Sequence, residues 1–559
     1  MVLVEQKVAE KQESRKRVLR ITRSICPECN RVIDAEIFER DGVVYIGKTC
    51  PKHGYFEDVY FGSYEMYERF SKYARDGIGI QNPKTYVNNI TCPASCGLCS
   101  NHLSHTALAN IVVTNRCDLN CWYCFFYAEK AGYIYEPTID QIRSMVRNLL
   151  NEKPIHGVAV QLTGGEPTIR DDIVDIIKAV KEEGITHIQL NTDGIRLSRD
   201  PELCRQVREA GVNTLYVSFD GVTPETNPKN YWEIPGLLNN CRKVGLGIVL
   251  VPTVIKTVND HEVGDMLRFA FFNMDIVRGI NYQPVSLVGR VPRHERERFR
   301  ITIPEVIERI EEQTNGEVKQ EDWFPVPAAM PLSRFVEAFT GELKYELTTH
   351  FACGAATYIF NDNGKMVPIT RFVDVDGLLK FLEEKAEKIE RGENKFIVGL
   401  SVIMNLHRFI NKDKMPSGLN LTRLLINIIV KHDYSSLGQL QMKSLFVGMM
   451  HFQDKYNHDE ERVRRCDIHY LTPDGRIIPF CTFNVIPEWY RDRIQKKYSI
   501  SIEEWEKKTG KKIKNDYYVR PSYLYHYPKD ENLFKRMGID YVPLSIRSKL
   551  AAESSVAPS

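Results

Sequence analysis

A chain of 559 residues is long enough for two or three domains with sizeable cores. Its hydrophobic content of 43% and charged content of 26% are those of a globular protein, and a formal net charge of +2 supplies no strong field toward nucleic acid or an anionic surface. The first twenty residues are charged throughout and lack the apolar stretch of a secretory signal; the longest apolar run, FIVGLSVIMNL at 396–406, is too short to span a bilayer. A cytoplasmic location is expected, with peripheral membrane contact left open. The absence of basic–aromatic interleaving argues against a nucleic-acid partner.

Fourteen cysteines are many for such a compartment, where disulfides are rare, so clustered cysteines read first as metal ligands. The first cluster lies in a module at 1–65. Cys26 and Cys29 form one C-x2-C knuckle, and Cys50 with His53 forms a C-x2-H knuckle after the hairpin-like VVYIGKT. Four such ligands predict one tetrahedral mononuclear ion, Zn or a rubredoxin-like Fe. A linker at 66–106 carries TCPASCGLCSNH, with Cys92, Cys96 and Cys99. Three thiolates within eight positions suit an iron–sulfur cluster, whose fourth ligand must come from elsewhere or from His102 or His105.

From 107 to 313 strand-like and helix-like runs alternate. The strands are NIVVTN, GVAVQLTG, HIQLNT, TLYVSFD, GIVLVPTVI and GINYQPV, with amphipathic runs such as TIDQIRSMVRNLLNE between them. Six units predict an α/β fold: a partial (β/α)6 barrel, its parallel strands buried on both faces and its active face where strands end. Residues 314–559 are less regular, with a strongly helical insert at 378–456 separating Cys353 from Cys466 and Cys481. Cys204 and Cys241 fall on helical runs and read as small buried hydrophobes.

The first strand ends in TNRCDLNCWYC, which places Cys117, Cys121 and Cys124 in a C-x3-C-x2-C pattern with Tyr123 before the last cysteine. Three thiolates on a four-iron cubane leave one iron open to another ligand. LTGGEPTI ends the second strand, where Gly164 and Gly165 permit a close backbone approach and Glu166 can hold an ammonium group. NTDG and SFDG end the next two strands.

In this order the motifs resemble the radical S-adenosylmethionine (SAM) superfamily. The resemblance implies a [4Fe–4S] cluster on Cys117, Cys121 and Cys124, and SAM chelating its open iron. It also implies SAM contacts from Tyr123, Gly164, Gly165, Glu166, Asn191, Thr192, Ser218 and Asp220, and a low-potential electron donor such as ferredoxin. CGAATYIFNDNGKMVPIT and CDIHYLTPDGRIIPFC resemble the twitch or SPASM hairpins that hold auxiliary clusters, although Ile369 stands where a second cysteine would be. Two auxiliary [4Fe–4S] clusters are therefore expected, one on Cys92, Cys96 and Cys99 and one on Cys353, Cys466 and Cys481, three clusters in all.

The wider order of motifs, from about 21 to 530, is similar to the archaeal tetraether lipid synthases. That resemblance implies C–C coupling between terminal methyl carbons of two saturated isoprenoid chains, with an isoprenoid phospholipid as substrate and two SAM consumed per bond. The apolar stripes Leu421, Leu424, Leu425, Ile428 and Met442, Leu445, Phe446, Met449, Met450 would then line the chain channels. The arginine-rich segment 290–300 would meet head groups or stay solvated. The alternative is radical SAM methylation of a 7,8-dihydropterin precursor of a methanopterin-type cofactor.

Overall fold

The computed structural model describes residues 16–83, 91–124, 126, 131–289, 291–342, 346–419, 421, 443–525 and 531–543. It begins with an antiparallel four-stranded meander, β1 (Arg17–Ile25), β2 (Val32–Arg40), β3 (Val43–Cys50) and β4 (Gly54–Phe61), followed by helix α1 (Tyr64–Ser71). The turns that carry the metal-ligand candidates need left-handed backbone, found at Asn30 (φ 57°) and Gly54 (φ 79°).

The alternating region follows as β5 (Leu108–Thr114), α2 (Ile139–Leu150), β6 (Ala159–Gly164), α3 (Ile173–Glu182), β7 (His187–Thr192), α4 (Pro201–Ala210), β8 (Thr214–Ser218), α5 (Ile234–Val244), β9 (Gly247–Val251), α6 (Val263–Phe272), β10 (Val277–Pro284) and α7 (Ile303–Gln313). Local chemistry sets these limits. Thr138 and Gln141 form a reciprocal capping box at the start of α2. Asp200 caps α4 ahead of Pro201, and Gly211 ends it. Helix α2 buries Ile142, Met145, Val146 and Leu149, one stripe at helical spacing.

All six expected strands are present and pair in parallel, in chain order, from β5 to β10. The C-terminal region extends the sheet at both ends. It contributes the hairpin β11 (Gly354–Asp362) and β12 (Lys365–Pro368), helices α8 (Val375–Glu390) and α9 (Lys395–Asn405), strand β13 (Ser444–Met450), and the hairpin β14 (Ile468–Leu471) and β15 (Ile477–Pro479). Strand β13 lies parallel beside β10 and carries β11 antiparallel on its far side, while β14 lies parallel beside β5. The resulting 13-stranded sheet is mixed and open: among the described residues its two ends do not pair, so the six units do not close into a barrel.

Two expectations change here. The strands β5 and β6 are buried on both faces as expected, but four of the six, β5 to β8, are not apolar on both. Ile111, Leu162, Leu190, Leu215 and Leu250 pack into the main core, while the alternate positions carry Asn110, Gln161, Gln189, Asn191 and Tyr216. The segment 437–456, expected as helix, contains β13 instead. SLFVGMM is a seven-residue apolar run, too short for periodicity to separate strand from helix, and the slot between β10 and β11 decides it. Leu445, Phe446, Met449 and Met450 are therefore strand residues; Leu424, Leu425, Ile428 and Met442 lie outside the described residues. No helix among the described residues is long and apolar enough to cross a membrane.

The N-terminal meander is docked by buried charge. Asp459, fully buried, accepts from Arg20, from Thr22 Oγ1 at 2.7 Å and from Tyr60 Oη at 2.7 Å. Arg300 bridges Asp58 at 3.0 Å to Asp454 at 2.6 Å, and Arg296 pairs with Asp58 at 2.7 Å. Lys48 Nζ donates to Ser24 Oγ and to the Lys455 carbonyl, and burial brings it down to about 7. Arg296 and Arg300 are thus turned inward to the meander, while Arg293 and Arg298 of the same segment stay largely exposed.

Burial alone would raise the Asp459 carboxyl, but Arg20 and its other donors hold it well below the ordinary range. The pair should therefore contribute its full stability above about pH 4 and lose it as pH falls further. Asp459→Ala should lower unfolding free energy by about 3–5 kcal/mol, read by urea unfolding at neutral pH.

Candidate active site and metal centres

The site forms where the parallel strands end. Strand β5 runs into the loop carrying Cys117, Cys121 and Cys124, and β6 ends in Gly164–Gly165–Glu166. The two segments touch through the backbone: Gly165 N donates to Thr114 O at 2.9 Å and Glu166 N to Arg116 O at 2.8 Å. A Cβ on Gly164 would come within 2.0 Å of Thr114 O, and one on Gly165 within 1.9 Å of Arg116 O. Gly164 also sits at φ 146°. The two glycines therefore seat the cysteine loop, a nearer constraint than approach to a ligand.

Glu166 is buried beneath that contact. Its carboxylate accepts from the Thr168 amide and hydroxyl, from Thr192 Oγ1 at 2.8 Å and from the Asp193 amide at 2.8 Å. Burial first, and then the nearby Asp118 charge, push it up to about 7. Burial and the same neighbours raise Asp193 strongly, and burial raises Asp118. Three acids gathered beside Cys117, two of them raised by a neighbouring carboxylate, form a patch that an ammonium group would neutralise.

Across the site, Tyr123 Oη donates to Asp220 and accepts from Lys229 Nζ at 2.8 Å. Lys229 also pairs with Asp220 at 2.6 Å and donates to Ser218. Asn191 Nδ2 donates to Thr163 Oγ1 at 3.1 Å. Tyr123, Ser218 and Asp220 are thus brought together, and Asn191 and Thr192 stand at the neighbouring strand end. Sequence reasoning missed Lys229, which follows the SFDG turn within NPKN, and also missed Asp118 and Asp193, which lie inside motifs chosen for other residues.

The C-terminal segment closes one side. Tyr518 N donates to Asp118 O at 2.9 Å, and Arg116 pairs with Asp516 at 2.6 Å and lies over the Trp505 ring at 4.5 Å. A cleft of about 940 Å³ opens beside Asp118, with Arg196, Trp232, Glu233 and Tyr518 in its wall.

The remaining cysteines gather in two further groups of three and one pair. Cys92, Cys96 and Cys99 lie within electrostatic reach of one another; burial raises Cys92 strongly and Cys96 to about 12. Cys466 and Cys481 likewise lie within reach of Cys353, and burial raises Cys466 strongly and Cys481 to about 11. Such thiols become good ligands when a metal displaces their protons. His102 is committed elsewhere: its Nε2 lies 2.7 Å from Cys466 O and 3.1 Å from His469 Nε2. His105 Nε2 accepts from the Glu346 amide. Cys204 and Cys241 lie in the main core with their sulfurs 4.0 Å apart, as expected of buried hydrophobes.

In the N-terminal meander the ligand atoms of Cys26, Cys29, Cys50 and His53 all lie within 4.8 Å of one another. Desolvation would raise Cys50, but the amides of Lys52 and His53 and the His53 ring bring it down to about 6. Three thiolates and one imidazole gathered this closely fit Zn or Fe.

Comparison with known proteins places these features. The model of the radical SAM superfamily matches residues 111–270, and that of the HMPTM N-terminal zinc ribbon domain matches residues 18–62. The 7,8-dihydro-6-hydroxymethylpterin dimethyltransferase of Methanocaldococcus jannaschii is 45% identical over 496 residues, covering 87% of this chain and 97% of that protein. The GTP 3',8-cyclase of Aquifex aeolicus is 31% identical over 193 residues, 32% of this chain and 57% of its own. A solved radical SAM methyltransferase from Kitasatospora setae, TsrM, covers 60% of each chain at 12% identity and a TM-score of 0.25, a likeness that carries no argument. The near-full-length relative overturns the expected coupling of isoprenoid chains, and with it the isoprenoid phospholipid as partner.

Gly165→Ala should displace the cysteine loop, since its Cβ would meet the Arg116 carbonyl. The expected result is loss of the radical cluster's iron with the fold retained, checked by iron analysis and circular dichroism. Cys50→Ser should remove the single ion of the N-terminal module, checked by elemental analysis of purified protein.

Proposed function

We propose a function from one premise: the chain belongs to the family of the Methanocaldococcus jannaschii 7,8-dihydro-6-hydroxymethylpterin dimethyltransferase. The proposal is that it is a radical SAM enzyme that methylates a reduced hydroxymethylpterin, and the 45% identity across nearly the whole relative is the observation that carries it. When bound, the cluster and SAM would supply a hydrogen-abstracting radical, with the electron delivered by an external low-potential donor.

The chain's own residues fit the roles this requires. Cys117, Cys121 and Cys124 would hold the cluster. Glu166, with Asp193 and Asp118 beside it, would take the methionyl ammonium, and its four donors fix its orientation. Lys229, held by Asp220 and Tyr123, places a cation next to Ser218 for the methionyl carboxylate. Asn191 and Thr192 complete the rim around the ribose. Cys26, Cys29, Cys50 and His53 would hold one Zn or Fe, and the two further cysteine triads two auxiliary clusters.

The polar face of the sheet suits a flat, hydrogen-bonding heterocycle. Gln161 Nε2 donates to Asn110 Oδ1 at 3.0 Å, and the Tyr216 hydroxyl is hydrogen-bonded to Asn281. The Oε1 atoms of Gln161 and Gln189 are buried without hydrogen-bond partners among the described residues. Such amides favour a ring that offers N–H groups and reject a hydrocarbon chain, which would leave them unsatisfied.

The test is an anaerobic incubation of reconstituted protein with a low-potential reductant, 7,8-dihydro-6-hydroxymethylpterin, SAM in excess and a one-carbon donor (a methylene-bearing reduced pterin, or a second SAM), since the SAM spent on the radical keeps its methyl on methionine, followed by mass spectrometry. A pterin heavier by one CH2 unit per transfer is expected; SAM cleavage with an unchanged pterin would overturn the assignment. Glu166→Gln should weaken SAM binding about tenfold to a hundredfold through loss of a charge-assisted contact, read by equilibrium binding.

A further inference from the structure

The hairpin phrase that begins at Cys353 has Ile369 where the resembled pattern has a second cysteine, which leaves the triad Cys353, Cys466 and Cys481 one ligand short of four. Strand β13 brings another donor to that place. Gly354 on β11 stands opposite Met450 on β13, and the His451 amide donates to the Cys353 carbonyl at 2.8 Å. The register thus continues one residue beyond both strands and sets Cys353 opposite His451. Residues directly opposite on antiparallel strands project to the same face, with Cβ atoms about 5 Å apart. Two residues further on, the Gln453 amide donates to Cys481 Sγ at 3.4 Å, so the segment after β13 touches a second cysteine of the triad.

His451 is 1% exposed, and its Nε2 has no hydrogen-bond partner among the described residues. Leaving a buried polar atom unpaired is costly, and a metal bond would relieve that cost. We propose that His451, through Nε2, is the fourth protein ligand of the iron–sulfur cluster held by Cys353, Cys466 and Cys481. The inference rests on the reading that these three cysteines hold a cluster.

Other neighbours are less suited. Arg462 Nε donates to Cys353 Sγ at 3.2 Å, and its other end donates to the His451 carbonyl. A guanidinium keeps its protons and has no lone pair to give. It instead sets a buried positive charge against the net negative charge that three thiolates and a neutral imidazole impose on the cluster. His350 Nδ1 accepts from the Ala352 amide, and the ring stacks on Phe351.

The experiment is pulsed EPR on full-length, reduced protein without SAM, labelled with 15N-histidine, alongside iron counts for His451→Ala, His451→Cys and Cys353→Ala. The expected result is an imidazole nitrogen coupling on one cluster signal. That coupling should vanish in both His451 variants, while His451→Cys keeps the wild-type iron count. Cys353→Ala should lose the iron of one cluster. Persistence of the coupling in His451→Cys overturns the inference, as does its absence from wild-type protein whose iron still depends on Cys353. If Cys353→Ala retains all its iron, the auxiliary cluster itself is refuted, and the ligand assignment with it.

Discussion

Much of the site hangs on a contact that leaves no room for a side chain. Where β6 ends, Gly164 and Gly165 lie against the backbone of Thr114 and Arg116, close enough that any Cβ would overlap a carbonyl oxygen. Two backbone hydrogen bonds then tie the glycine turn to the cysteine loop. This fixes Cys117 relative to Glu166, and Glu166 in turn orders Thr168, Thr192 and the Asp193 amide. One backbone packing event thereby aligns the ends of β5, β6 and β7 around a single point.

A second constraint acts from outside the parallel strands. The buried Asp459, Asp58 and Asp454 carboxylates, with Arg20, Arg296 and Arg300, join the N-terminal module to the segment between β13 and Cys466. Buried ion pairs of this kind add little over well-packed apolar residues, but they tolerate no wrong partner, because each unpaired charge would be costly. The segment they hold carries His451 and Gln453 and leads to Arg462 and Cys466. The N-terminal metal module therefore buttresses the region of the C-terminal cysteines.

The two faces of the sheet differ in character. Helices cover the Ile, Leu and Val positions, which form the main core, while amides and tyrosine occupy the alternate positions. A heterocycle with several hydrogen-bonding edges can satisfy that second face, whereas an alkyl chain would strip its amides of water and return nothing. The polar face thus agrees with the pterin activity of the relative.

Much was legible in the chain itself. The six parallel strands follow from apolar runs separated by amphipathic helices, and the cysteine motif, GGE, NTDG and SFDG fall at successive strand ends because each is a local phrase with its own turn chemistry. The spacing of the two N-terminal knuckles likewise announces a four-ligand group, and its ligand atoms do lie within 4.8 Å of one another. The polar face was also written in NIVVT, VQLTG and HIQLNT, but the high content of branched residues masked the alternation. What only the tertiary structure decided involves partners distant in sequence. SLFVGMM becomes a strand because a slot between β10 and β11 awaits it. Lys229 becomes a site residue because Tyr123, more than a hundred positions earlier, folds over it. His451 meets Cys353 through a register that no local pattern encodes. Local spacing determines which groups can bind metal or end a strand; pairing across the sheet determines which of them meet, since that depends on the summed packing of segments the sequence keeps far apart.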